Sequence, residues 1–127
     1  MNQPLIQPNY ILLYVDKPPA SAEFYAALLG RAPVENSPTF ALFVLDSGVR
    51  LGLWSRHTVE PAAAPGGSNG ELAFAVDSRE AVQALQDEWW QRGLRILQPA
   101  VDMDFGHTFT ALDPDGHRLR VFALSAN

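Results

Sequence analysis

The sequence predicts an α+β fold made of two βαβββ modules, their strands forming a curved mixed sheet around a cleft with the helices outside. Three observations predict it. The order strand, helix, three strands occurs once in each half of the chain. Thr39-Phe40 and Thr108-Phe109 open equivalent strands, and Gly48-Val49-Arg50-Leu51 is echoed by Gly116-His117-Arg118-Leu119. A segment poor in helix and strand formers separates the halves. A lone βαβββ unit has one helix for its small sheet and cannot cover both faces. Pairing two units leaves the helices outside and curls the strands around an interior.

Module one spans about residues 9–55. Tyr10 to Val15 is an apolar run long enough for a strand, and Ala22, Tyr25, Ala26, Leu28 and Leu29 recur at helical spacing until Gly30, a residue suited to a left-handed C-cap. Strands are expected over Ala32–Glu35, Phe40–Leu45 and Val49–Trp54, with Asp46-Ser47-Gly48 as the turn between the last two. Residues 56–70 carry Pro61, Pro65, Gly66, Gly67 and three alanines, which sustain neither a helix nor a central strand, and they read as a linker. Module two spans about 71–124. Leu72–Val76 is strand-like, Ser78 is a good N-cap, and Val82, Leu85 and Trp89 share a helix face that Gly93 ends. The remaining strands are expected over Leu94–Leu97, Thr108–Leu112 and Arg118–Leu124, with Gly106-His107 in the loop before the second of them.

Composition narrows the function. At 127 residues the chain fits a single domain with a real core, and 47% hydrophobic against 18% charged residues marks a globular protein rather than a disordered one. The net charge of −5 and the scatter of Lys17 and the arginines along the chain argue against a nucleic-acid partner. Met1-Asn2-Gln3-Pro4 carries no basic segment leading into an apolar one, and no apolar run approaches the ~20 residues of a membrane span, so a cytoplasmic location is expected. With no cysteine, disulfides, thiolate metal sites and thiol nucleophiles are excluded. No Gly-x-Ser-x-Gly, phosphate loop or dinucleotide fingerprint is present.

The last hairpin, Asp113-Pro114-Asp115-Gly116 running into Arg118–Phe122, and the first helix, with Ser21-Ala22-Glu23-Phe24-Tyr25 and Leu28-Leu29-Gly30, resemble the vicinal oxygen chelate superfamily of glyoxalases, bleomycin-resistance proteins and dioxygenases. More specifically, Gly52-Leu53-Trp54-Ser55, Glu88-Trp89, Asp104 to Phe109, and Arg120-Val121 resemble the phenazine-antibiotic resistance proteins of that superfamily, which sequester a planar aromatic drug. In metal-dependent members, ligands come from the first strand, the strand opening module two and the terminal strand. Here those positions fall at Tyr10, Glu71 and Arg120, and the module-one counterpart of Arg120 is Gly52. A guanidinium is a donor only and cannot ligate a cation, and catalytic metals normally need about three suitable protein ligands. No cofactor is therefore expected, and Glu71 and Arg120 are expected to pair with each other.

Strand alternation assigns the other candidates. If Arg120 faces the cleft, Arg118 and Phe122 do so too, while Leu119 and Val121 face the helix; by the repeat, Gly52 and Trp54 face the cleft from module one. Gly52 beside Trp54 leaves room for a flat molecule on the indole, and Phe105 or Phe109 supplies a second aromatic wall. His57 and His117 read as turn residues, whereas His107 lies where the phenazine-binding relatives bring a loop near the ligand. The expected function is non-catalytic sequestration of a small planar aromatic molecule, such as an antibiotic, by Trp54, Arg120, Gly52, Tyr10, Glu71, Phe105, His107 and Phe122. The resemblance also implies a homodimer. The alternative is a metal-dependent glyoxalase-like lyase or dioxygenase-like enzyme, with ligands drawn from Asn9, Tyr10, Glu71 and a histidine brought over by a partner chain.

Overall fold

The computed structural model describes residues 8–64 and 71–125, so the predicted linker is seen only as far as Ala64, and its Pro65-to-Gly70 part lies outside the described residues. The α+β prediction of two βαβββ modules holds. Module one runs β1 (Tyr10–Val15), α1 (Pro18–Leu29), β2 (Glu35–Asn36), β3 (Phe40–Val44) and β4 (Arg50–Ser55). Module two repeats the order with β5 (Glu71–Ala75), α2 (Arg79–Gln91), β6 (Arg95–Met103), β7 (Gly106–Leu112) and β8 (Arg118–Leu124). Each module builds its own four-stranded mixed sheet, in the orders β1-β4-β3-β2 and β5-β8-β7-β6.

In both sheets the first strand pairs in parallel with the last, and the last pairs antiparallel with its predecessor. Period-two alternation then sorts the side chains. In module one, Val15, Ala41, Phe43, Leu51 and Leu53 are buried on the face covered by α1, which contributes Ala22 and the fully buried Tyr25. In module two, Leu119, Val121 and Phe109 are buried beneath α2, where Trp89 meets Phe74 and Phe109 edge-on at centroid distances of 5.9 and 5.3 Å. Edge-on contact sets the positive rim of one ring against the negative face of the other.

The two helices end alike and begin differently. Gly30, at φ 67°, is the left-handed C-cap of α1, and its N–H donates to the Ala26 carbonyl. Gly93, at φ 88°, stops α2. At the start of α2 the Ser78 hydroxyl accepts from the Ala81 N–H, as its sequence position predicts. No side chain caps α1, but prolines occupy its first positions, where a missing N–H costs nothing.

Several strand limits differ from expectation. The strand expected over Ala32–Glu35 is a two-residue pair at Glu35–Asn36. β6 runs through Pro99 to Met103 rather than stopping at Leu97. A proline cannot donate to a ladder, but β6 is the outer strand of its sheet, and its register against β7 shifts between Ile96 and Gln98 and again between Gln98 and Val101, so the ring sits in a bulged edge. The longer β6 pairs Asp102 with His107 and Met103 with Gly106, which places Gly106 and His107 in β7 and not in a loop.

Candidate functional site

On the sheet face of module one opposite α1, β4 presents Arg50, Gly52 and Trp54. The register sets Tyr10, Leu12 and Tyr14 of β1 beside them on one flank and Val44, Leu42 and Phe40 of β3 on the other. Tyr10, Leu12 and Tyr14 are all more than 40% exposed although apolar in bulk, so this face is a surface of aromatic and aliphatic groups, not a core. Tyr10, Leu12, Phe40 and Trp54 line a hollow of about 380 Å³ there. Phe40 meets the Trp54 indole edge-on at 6.1 Å, and Arg50 places its guanidinium 5.6 Å from the Tyr10 ring centroid, a cation–π distance. Of the predicted residues, Tyr10, Gly52 and Trp54 share this face. Leu12, Phe40 and Arg50 had no assigned role in the sequence reading, although the period-two rule applied to β1, β3 and β4 identifies them.

The space above Gly52 is not open, contrary to expectation. A Cβ placed on Gly52 would stand 2.5 Å from Leu12 Cδ2 and 3.1 Å from the Phe40 ring. The glycine makes room for its neighbours' side chains, which close over it.

On the equivalent face of module two, Arg120 takes the central place. Its Nε donates to both oxygens of Glu71, at 2.7 and 3.2 Å, and its Nη1 donates to Thr108 Oγ1 at 3.3 Å. Thr108 in turn donates to the Val121 carbonyl. Among the described residues, Arg120 Nη2 meets no acceptor. Phe122 lies on the same face and meets Phe105 edge-on at 6.0 Å. Arg120, Glu71, Phe122 and Phe105 therefore form one neighbourhood. Phe109 is fully buried against Trp89 and is no candidate for an aromatic wall.

His107 does not join them. One position along β7 from Thr108, it points to the α2 side of the sheet and is 6% exposed. Its Nδ1–H donates to Asp102 Oδ1 at 2.8 Å, and its Nε2 accepts from the Gln83 amide at 2.8 Å. Asp102 also receives Arg79, and the hydrogen bonds from Arg79 and then His107 hold its carboxyl below the usual range. The network ties the β6–β7 hairpin to α2. The other histidines are also structural. His57 pairs with Asp16 at 2.6 Å, which lowers the Asp16 pKa. His117 Nδ1 donates to the buried Asp113 within the terminal turn, and that bond raises the imidazole pKa.

These donors do not fit a metal. Arg120 engages both oxygens of Glu71, a guanidinium cannot ligate, Gly52 has no side chain, and the Tyr10 ring faces Arg50. Among the described residues no three His, Cys, Asp or Glu side chains come together in a metal-holding group. No helix among them is long and apolar enough to cross a membrane.

Comparison with known proteins places these features in a group. The family model of the Glyoxalase/Bleomycin resistance protein/Dioxygenase superfamily matches residues 7–121. The phenazine antibiotic resistance protein EhpR of Enterobacter agglomerans is 32% identical over 125 residues, covering 95% of each chain. Among solved structures, protein ATC0852 of Agrobacterium tumefaciens is 55% identical with a TM-score of 0.88, covering 96% of this chain and all of that one. A glyoxalase-related enzyme of Fulvimarina pelagi is 27% identical with a TM-score of 0.80, covering 94% of this chain and 88% of that one.

Proposed function

The chain belongs to the glyoxalase/bleomycin resistance protein/dioxygenase superfamily, and from that premise we propose that it binds and sequesters a small planar aromatic molecule of the antibiotic type without chemical conversion. The observation that carries this reading is the hollow on module one. It is lined by Tyr10, Leu12, Phe40 and Trp54, three of them aromatic, and its volume of about 380 Å³ is of the order found at small-molecule sites. Stacking on the indole contributes ~0.5–1.5 kcal/mol beyond area burial, and each Å² of ring removed from water contributes about 25 cal/mol. Neither term needs covalent chemistry. The 32% identity to a phenazine antibiotic resistance protein supports the same ligand class.

Arg120 is the second element of the reading. Glu71 and Thr108 fix its guanidinium, and the unused Nη2 is a rigid donor for a carboxylate or carbonyl on a ligand of the module-two face. We also read the protein as a cytoplasmic homodimer. The outer strand β6 exposes Leu97, Val101 and Met103, and such an apolar edge is normally covered by a partner.

The test is a titration with phenazine, followed by quenching of indole fluorescence and by calorimetry. Saturable binding at micromolar concentration that Trp54→Ala weakens about ten-fold or more supports the reading. Binding that Trp54→Ala leaves unchanged overturns it. Light scattering reads the dimer, and metal analysis after purification without added metal should find no stoichiometric ion.

A further inference from the structure

We infer that the module-one hollow takes an aromatic acid in its anionic form, and that Arg50 is the residue that selects for the charge. The inference rests on the reading of that hollow as a ring-binding site and adds the polarity of the ring's substituent, which aromatic walls alone leave open.

The first observation concerns counter-charges. Arg31, Arg56, Arg79, Arg92 and Arg120 each lie within salt-bridge distance of a carboxylate. Arg95 and Arg118 have no such partner among the described residues, but both are exposed and solvated. Arg50 has none either, yet it is partly buried, and its guanidinium stands 5.6 Å from the Tyr10 ring centroid on a face of aromatic and aliphatic side chains. A half-buried cation beside apolar groups loses hydration that no counter-charge returns to it. The chain carries a net charge of −5, so carboxylates are not scarce, and the lack of one here is a property of the position.

The second observation is the place. In the β1–β4 register Trp54 lies beside Tyr14, Gly52 beside Leu12 and Arg50 beside Tyr10. The hollow lined by Tyr10, Leu12, Phe40 and Trp54 therefore runs along β4 from the indole to the Tyr10 end, and Arg50 stands at that end. Four residues of strand separate the Trp54 and Arg50 Cα positions by roughly 13 Å, room for a fused ring with an acidic substituent at its Arg50 end. Contact with Tyr10 does not use up the guanidinium. The ring face attracts its charge, whereas its five N–H groups radiate in its own plane and stay available to a planar acceptor. A carboxylate there receives two parallel N–H bonds and restores the solvation the cation has lost. A neutral substituent gains little of this, and a cationic one is repelled.

Calorimetry with quinoxaline, quinoxaline-2-carboxylate and 2-(aminomethyl)quinoxaline tests this, because the three share one ring system and differ in charge. At neutral pH and low salt the wild type should bind the carboxylate about ten-fold more tightly than quinoxaline, and the amine more weakly than either. The preference should shrink as salt is raised. Arg50→Gln should bring the carboxylate to within about two-fold of quinoxaline while leaving quinoxaline itself within about two-fold of wild type. Arg50→Lys keeps the charge but not the planar fork and should retain part of the preference. No carboxylate preference in the wild type, or one that survives Arg50→Gln, overturns the inference. So does an Arg50→Gln loss shared equally by quinoxaline, which would make Arg50 a support for the walls and not a reader of charge. These outcomes leave the site reading intact provided Trp54→Ala weakens quinoxaline. If Trp54→Ala weakens none of the probes, the site reading itself fails and the inference with it.

Discussion

The two modules place the same backbone under opposite side chains. Gly52 of β4 and Arg120 of β8 occupy equivalent positions, each flanked by a parallel first strand and an antiparallel neighbour. Around Gly52 the flanking residues are Leu12 and Leu42, whereas around Arg120 they are Ala73 and Thr110. The middle of the face is thus filled from its flanks in module one and from its centre in module two. One step along, Trp54 has Tyr14 and Phe40 beside it, while Phe122 has Ala75 and Thr108. A repeated fold fixes how much space stands over each position but not which strand supplies the atoms. In this chain that freedom yields an apolar, aromatic face on one module and a polar, ion-paired face on the other.

The sharpest contrast between regions is between two tryptophans. Trp89 is 5% exposed and wedged between Phe74 and Phe109, whereas Trp54 lines an open hollow. Trp89→Ala should lower stability by about 3–5 kcal/mol, measured by urea unfolding, as a large-to-small core change does. Trp54→Ala should cost less stability than Trp89→Ala, since Trp54 is only partly buried, and should in addition remove most phenazine binding. Similar stability losses for the two variants would erase the distinction between a core indole and a site indole.

Much of this contrast was legible in the sequence. Alternation along Arg118–Leu124 put Arg120 and Phe122 on one face and Leu119 and Val121 on the other, and the spacing of Val82, Leu85 and Trp89 put Trp89 in the core. The pairing of Glu71 with Arg120 followed from their chemistry at equivalent family positions, and the structure has it. What was not legible depended on register or on a neighbour's rotamer. Pro99 reads as a strand end unless β6 is known to be an outer strand, and with β6 cut short His107 reads as a loop residue. β7 in fact starts two residues earlier than expected, and His107, one position from Thr108, then falls on the helix side of the sheet, because the side-chain period is two. Gly52 reads as empty space because a sequence does not show that Leu12 lies beside it in parallel register.

The module-two face is sharpened by its ion pair. The Arg120 and Glu71 side chains are 18% and 33% exposed, so the pair is neither a solvated surface contact nor a fully buried one. A double-mutant cycle with Arg120→Gln and Glu71→Gln should give a coupling of about 1 kcal/mol, above the exposed-pair median and below the cost of stranding a buried charge. A coupling near zero would make the face merely polar, with Arg120 free to turn toward solvent.

The smallest effect concerns the terminal turn that leads into β8. Asp113 Oδ1 accepts the backbone N–H groups of Asp115 and His117, and its Oδ2 accepts His117 Nδ1 at 2.7 Å, so one carboxylate organises the turn whose strand carries Arg120. The corresponding turn of module one, Asp46-Ser47-Gly48, holds no histidine. The hydrogen bond to Asp113 raises the His117 pKa above its ordinary 6.5, outweighing burial, with Asp113 and Asp115 adding favourable charge. The folded state therefore holds this proton more tightly than the unfolded chain does. The stabilisation is fully present below about pH 6.5 and is lost as pH rises through the folded-state pKa. Urea midpoints measured at steps from pH 6 upward should fall across that window in the wild type. In His117→Asn, which keeps a side-chain amide for Asp113 but has nothing to titrate, that component of the slope should vanish. An identical pH slope in the two proteins would show that the imidazole is not charged in the turn, and module two would then have no proton-linked feature that module one lacks.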